Sequence, residues 1–300
     1  MKTCISTYSY KRLIDSGEFT HFDAIDYTKK LGMDGVELQF SVGFAPEGQT
    51  QLEYVKSLTE YAHNKGLDVP MYTIGANLYC VSPDEEIQRV CSHVDIAAAC
   101  GIPKLRFDVT AEFLGMENAK TPYVVIKTVA PCIRHIAEYA ATKGVMVCSE
   151  NHGRLIQDSL RVEQLIAEVN HSNYRWLCDM GNFGGVDEDC ALAVSRVIHS
   201  ICYVHAKDNF TRNGMMYDPG RGFARTRAGS YRRQTIFGHG DVPTFQILSA
   251  LHLAGYDGYV SIEFEGIEEN LLALEIGSEN LKRMLKELRY EDFDKKWQGS

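Results

Sequence analysis

Val145-Met-Val-Cys-Ser-Glu-Asn-His-Gly153 is an apolar run that stops abruptly on a carboxylate, an amide and an imidazole. Bounded by Gly144 and Gly153, a run of this length reads as a buried strand. A carboxylate desolvated without partners is costly, so its position at the strand's end calls for a reason. The same pattern recurs downstream. Tyr174-Arg-Trp-Leu-Cys-Asp179 ends in Asp, Ile201-Cys-Tyr-Val-His205 in His, and Tyr259-Val-Ser-Ile-Glu263 in Glu. A cap or an ion pair explains one such residue; four metal-competent side chains at corresponding strand ends ask for a common purpose.

Working outward, these strands alternate with helices. Ile5 to Ser9, Gly35 to Phe40, Leu67 to Ile74 and Lys104 to Asp108 read as earlier strands. Helices are expected over 20–31, 51–65, 83–100, 123–143, 159–169, 187–196, 244–254 and 268–288, several of them stopping at a glycine. The marker residues stand at 150, 179, 205 and 263, intervals of 29, 26 and 58, the last stretched by a long loop. Strict alternation implies a parallel sheet with right-handed crossovers, most economically an α/β fold of the closed (β/α)8 TIM barrel type. A doubly wound open sheet needs a glycine-rich phosphate turn after its first strand, and Tyr8-Ser-Tyr-Lys-Arg12 is not one. The expected organisation is one catalytic barrel domain over 1–290, a long loop after strand 7, and a polar tail over 291–300.

Composition sets outer bounds. With 45% apolar and 24% charged residues, the 300-residue chain has ample material for a core. A formal net charge of −9 opposes general affinity for nucleic acid or anionic membrane. No apolar stretch is long enough to span a bilayer and the N-terminus has no signal-like segment, so a cytoplasmic location is expected. The nine cysteines contain no C-x-x-C pair, and Cys148, Cys178 and Cys202 fall inside strands, as small core filler does in a reducing compartment.

In a parallel barrel every strand opens at its C-terminal end on one face. Glu150, Asp179, His205 and Glu263 therefore converge there as expected metal ligands; Glu265, of the same pleat parity as Glu263, is the competing choice for the last position. Three carboxylates and one imidazole, without a thiolate, suit a divalent cation, with Mn²⁺ favoured over Co²⁺, Mg²⁺ or Zn²⁺. His152 and Lys207 each lie two residues past a ligand, at the mouth. His152 reads either as an acid/base or as a hydrogen-bond support for a ligand carboxylate. Lys207, Glu37, Asn182 and His239 are expected substrate contacts, and Arg106 with Asp108 reads as an internal ion pair. Tyr8, Phe40, Tyr72, Phe183 and Phe210 are candidate walls for a sugar.

Glu150-Asn-His-Gly, Asp179-Met-Gly-Asn, His205-Ala-Lys-Asp, Gly238-His-Gly-Asp and Gly255-Tyr-Asp-Gly-Tyr-Val-Ser-Ile-Glu263 together resemble the xylose-isomerase-like sugar phosphate isomerase/epimerase superfamily over nearly the whole chain. That superfamily includes ketose 3-epimerases, hydroxypyruvate isomerases, inosose dehydratases and type IV apurinic endonucleases. The resemblance implies a metal, a small carbohydrate-like substrate, and acid/base roles for Glu150 and Glu263 about an enediolate. One departure is visible: many ketose 3-epimerases carry a His three residues after the metal-binding Asp, where this chain has Asn182.

The expected activity is a metal-dependent isomerisation or epimerisation by α-proton abstraction. The rival is a lyase that follows the same deprotonation with loss of water, or of an aglycone with the help of a small partner subunit. An apurinic endonuclease fits neither Asn182 nor the acidic charge. The segment from Lys207 to Asp241 carries Arg212, Arg221, Arg225, Arg227, Arg232 and Arg233, a basic lid that either recognises an anion or pairs with a neighbouring subunit. A homo-oligomer is expected.

Overall fold

The structure is a computed structural model and describes residues 1–40, 45–110 and 121–289; the expected tail over 291–300 lies outside them. Short runs rich in Val, Ile, Leu and Tyr form β1 (Lys2–Ser6), β2 (Gly35–Phe40), β3 (Tyr72–Ile74), β4 (Lys104–Phe107), β5 (Met146–Glu150), β6 (Tyr174–Asp179) and β7 (Ile201–Ala206). Three further strands, β8 (Asp208–Arg212), β9 (Ala224–Arg225) and β10 (Tyr231–Thr235), stand apart before β11 (Tyr259–Ile262). Strands β1 to β7 and β11 close into one parallel barrel, with β11 joining β7 to β1. A short α1 (Lys11–Asp15) precedes the eight helices that alternate with the barrel strands: α2 (His21–Lys30), α3 (Gln51–Asn64), α4 (Pro83–Ala99), α5 (Pro122–Thr142), α6 (Ser159–Val169), α7 (Cys190–Val197), α8 (Thr244–Leu253) and α9 (Asn270–Glu287). Thr20 with Asp23 and Thr50 with Glu53 form complete capping boxes that fix the starts of α2 and α3. This is a (β/α)8 barrel.

Inward-facing side chains stack in layers, as barrel interiors require. Met71, Cys148, Leu177 and Tyr203 form a fully buried apolar floor. Two residues further along each strand, hence on the same side of the pleat, stand Thr73, Glu150, Asp179 and His205. The polar layer thus rests on a dry one, and the strand cysteine serves as filler.

Local boundaries shift where the chain turns. The first strand runs 2–6 rather than 5–9, because Thr7–Tyr10 is a 3-10 helix. The third reduces to Tyr72–Ile74 after Val69 and Pro70. The helix expected from 187 begins at Cys190, since Asn182–Val186 is a 3-10 turn that ends on Asp187 with φ 61°.

The loop expected after strand 7 is a structured excursion. Strands β8, β10 and β9 pair antiparallel, with Asp208 opposite Thr235 and Phe210 opposite Arg233. Its base is clasped by Asp208, whose carboxylate accepts N–H bonds from Asn209 (2.8 Å), Gly238 (2.9 Å), Gly240 (2.8 Å) and Val242 (3.2 Å). Gly240 is needed there, since a Cβ would lie 2.2 Å from Asp208 Oδ1.

Candidate metal centre and its cavity

Strand register assembles the centre. Asp179 pairs with His205, His205 with Ser261, and the Glu263 N–H bonds to Ala206 O at 3.3 Å, just beyond β11. Glu150, Asp179, His205 and Glu263 each offer one donor atom, and these atoms lie within 4.8 Å of one another. All four residues are buried. Between Glu263 and Glu265, it is Glu263 that joins the group; Glu265 turns to Lys207 at 2.9 Å.

Each donor is held from behind. Asp179 Oδ1 accepts the N–H groups of Gly181 (2.8 Å) and Asn182 (2.9 Å), while the Asn151 amide brackets the Asp179 backbone at 2.8 and 2.9 Å. His205 Nε2–H donates to Glu37 Oε2 at 2.9 Å, which leaves the Nδ1 lone pair facing the centre. Glu150 Oε2 meets Arg106 at 2.7 Å and its Oε1 accepts from Asn182 Nδ2 at 3.1 Å. Burial would raise the Glu150 carboxyl, but Arg106 and His205 outweigh it and hold Glu150 well below its usual range. Glu263 goes the other way: burial pushes it to about 7 despite Lys207 and His205.

Two buried atoms of this group accept or donate no hydrogen bond: Asp179 Oδ2 and His205 Nδ1. The nearest carboxylate oxygens to Nδ1 belong to Glu263 (3.6 Å) and Glu150 (3.7 Å). An imidazole nitrogen without a hydrogen bond, gathered with carboxylate oxygens into an all-oxygen-and-imidazole set, fits a divalent cation. Lys207 Nζ, 3.1 Å from Asp179 Oδ2 and in contact with Glu263, adds a fixed positive charge beside them.

The expected substrate contacts divide. Lys207 lines a small inner cavity of about 80 Å³ with Tyr8, Gln39 and Arg106. Asn182 lines a larger outer cavity of about 490 Å³. Asp108 and His152 line both cavities and so join them. Glu37 is not open to substrate: it is fully buried, with its oxygens taken by His205, Thr73 (2.9 Å) and Ser261 (3.0 Å). His239 is exposed in the turn after β10 and lines neither cavity, because the glycines on either side carry it around the Asp208 clasp. Phe40, Tyr72 and Phe183 belong to the core; Tyr8 faces the site.

His152 is exposed and sits 3.3 Å from Asp108 Oδ1. Desolvation lowers its affinity for a proton, but the Asp108 hydrogen bond and charge outweigh that and leave it raised. Asp108 in turn pairs with Arg106 at 2.7 Å, so the expected ion pair exists and extends to Glu150. Gln39 and Gln157, both lining a cavity, were not singled out by the sequence; a glutamine carries no signal without its neighbours.

The model of the xylose isomerase-like TIM barrel family matches residues 25–288. No curated protein matches the chain significantly by sequence. Among solved structures, D-psicose 3-epimerase from Clostridium cellulolyticum H10 superposes with a TM-score of 0.72 at 16% identity, covering 94% of this chain and 98% of that one. A 3-keto-D-glucoside 4-epimerase from E. coli gives 0.69 at 16%, covering 94% and 99%. A probable 3-DHS dehydratase from Bacillus anthracis gives 0.71 at 18%, again covering 94% and 99%. At such identities the likeness shows the fold. The family match spans most of the barrel: the chain belongs to the xylose isomerase-like TIM barrel family.

Proposed function

We propose that the protein is a divalent-metal-dependent isomerase or epimerase of a sugar or sugar derivative, working by abstraction of a proton beside a carbonyl and through an enediolate. The convergence of four buried donors, with His205 Nδ1 lacking a hydrogen bond, carries this reading. A divalent cation, Mn²⁺ by donor preference, would be held by Glu150, Asp179, His205 and Glu263 and would supply positive charge to stabilise a developing enediolate. Glu150 and Glu263 flank the same point: one takes the α-proton and the other returns it, at the same carbon for epimerisation or the neighbouring one for isomerisation. Arg106 keeps Glu150 oriented, and Lys207, held by Asp179, Glu263 and Glu265, sets a fixed positive charge on the wall of the inner cavity. Two structural neighbours, both sugar epimerases, support this choice.

A lyase is the second reading, favoured by one observation. His152, braced by Asp108, stands outside the ring of ligands where the inner and outer cavities meet. An acid/base there suits a departing group on the β-carbon, water or a larger aglycone.

The test is a mass-spectrometric panel of free ketoses, sugar phosphates, inososes and oxidised glycosides with Mn²⁺-loaded protein in D₂O. One solvent deuterium on a carbon beside the carbonyl, skeleton retained, supports the isomerase or epimerase. Loss of water or aglycone moves the protein to the lyases. Metal content unchanged in Glu150→Gln and Asp179→Asn would sink both readings.

A further inference from the structure

The outer cavity has a charge that the proposed reaction does not use. Of the excursion's arginines, three are engaged by acids of this chain: Arg212 with Asp241 (3.5 Å), Arg227 with Asp158 (2.7 Å) and Arg233 with Glu268 (3.3 Å). Arg225 and Arg232 pair with no acid among the described residues, and both line the outer cavity. Among the described residues, the one carboxylate on that cavity's wall, Asp108, is already matched by Arg106 and His152.

The two guanidinium groups are placed, not loose. Arg225 donates to Tyr231 Oη at 2.7 Å and stacks on that ring with 4.6 Å to its centroid. Arg232 lies against Gly185, where a Cβ would come within 3.0 Å of its guanidinium carbon and 2.9 Å of Gln157 Nε2. Among the described residues its side chain makes only long polar contacts, 3.4 Å to Gly181 O and to Asn182 Oδ1. Glycine at 185 therefore keeps room for a guanidinium whose donors remain largely unspent beside the wall that carries Asn182. Asn182 itself bonds Glu150, so this corner of the cavity touches the metal centre through one residue.

We infer that Arg225 and Arg232 form an anion subsite, and that the substrate is a sugar derivative carrying a phosphate or carboxylate away from its reacting carbon. Planar guanidinium forks match either group through paired, charge-assisted hydrogen bonds. The outer cavity, several times the volume of the inner one, gives the remainder of such a molecule its room. The inference rests on the reading of this mouth as the substrate site.

Isothermal titration of the full chain with Mn²⁺ present, using D-fructose, D-fructose 6-phosphate and D-glucuronate, tests it in wild type, R232Q and R225Q. At least one anionic sugar is expected to bind wild type tenfold or more tighter than fructose. That advantage should shrink toward unity in each variant while fructose affinity stays put. A stronger response to the phosphate or to the glucuronate tells which anion the pair prefers. An advantage absent from wild type, or one surviving both substitutions, overturns the subsite. R225Q alters an exposed side chain and keeps the test open should R232Q fold poorly. Anion selectivity without deuterium exchange on any substrate would leave the subsite standing and remove the reaction.

Discussion

Replacing Glu37 by Gln separates the role the structure gives this residue from the substrate contact expected of it. The carboxylate takes the Nε2–H of His205 at 2.9 and 3.1 Å, Thr73 Oγ1 at 2.9 Å and Ser261 Oγ at 3.0 Å, with no exposure. Glutamine keeps the volume but turns one acceptor into an NH₂ donor. Facing that donor, His205 favours the tautomer with its proton on Nδ1, the nitrogen that must be bare to ligate a cation. Losing such an orienting carboxylate costs about 10- to 100-fold in metal affinity, or ~1.4 to 2.7 kcal/mol. The assay is competition for Mn²⁺ between metal-stripped protein and a fluorescent chelator, with circular dichroism confirming the fold. A variant that binds Mn²⁺ as wild type does, yet shows a raised KM, would refute the reasoning and return Glu37 to the substrate.

Two more predictions follow from neighbouring features. Arg106→Met removes the only cation touching both Asp108 and Glu150 within the buried wall, so the metal-free protein should lose about 3–5 kcal/mol in urea unfolding; Mn²⁺ should restore part of this, and a loss under ~1 kcal/mol would refute the pairing's weight. Burial holds His21 and His93 down to about 4, against ~6.5 in an unfolded chain. Below that value the unfolded chain takes up protons the fold refuses, so stability is full above pH ~6.5 and falls as pH drops toward 4. Urea titrations between pH 7 and 5 check this; a flat profile in wild type, or the same slope in the His21→Asn/His93→Asn variant, contradicts it.

How far the sequence was legible depended on where the information lay. The barrel and the convergence of these four side chains could be read because each of Glu150, Asp179, His205 and Glu263 interrupts an apolar run at its end, a purely local signal. Glu37 sits mid-strand and owes its role to His205, 168 residues away, which no spacing announces. The excursion hid its strands because Asp208–Arg212 and Tyr231–Thr235 are mostly polar, without the apolar-polar alternation that a half-buried sheet shows. His239, expected to face substrate at the end of the long loop, instead stands exposed in the turn that Asp208 gathers around its carboxylate. The six arginines read as one basic lid divided once tertiary partners were known: three are neutralised, two face the cavity and Arg221 is exposed.

The Asp208 clasp has a consequence for how the mouth works in time. It joins two points 30 residues apart, and four backbone donors meet on one buried carboxylate. Closing a loop of that length costs roughly 3 kcal/mol of chain entropy, growing only slowly with length. Here that ordering is met once, when the chain folds, and is not charged against each substrate. The wall bearing Arg225 and Arg232 is thus anchored at its base by the fold itself, before any ligand arrives.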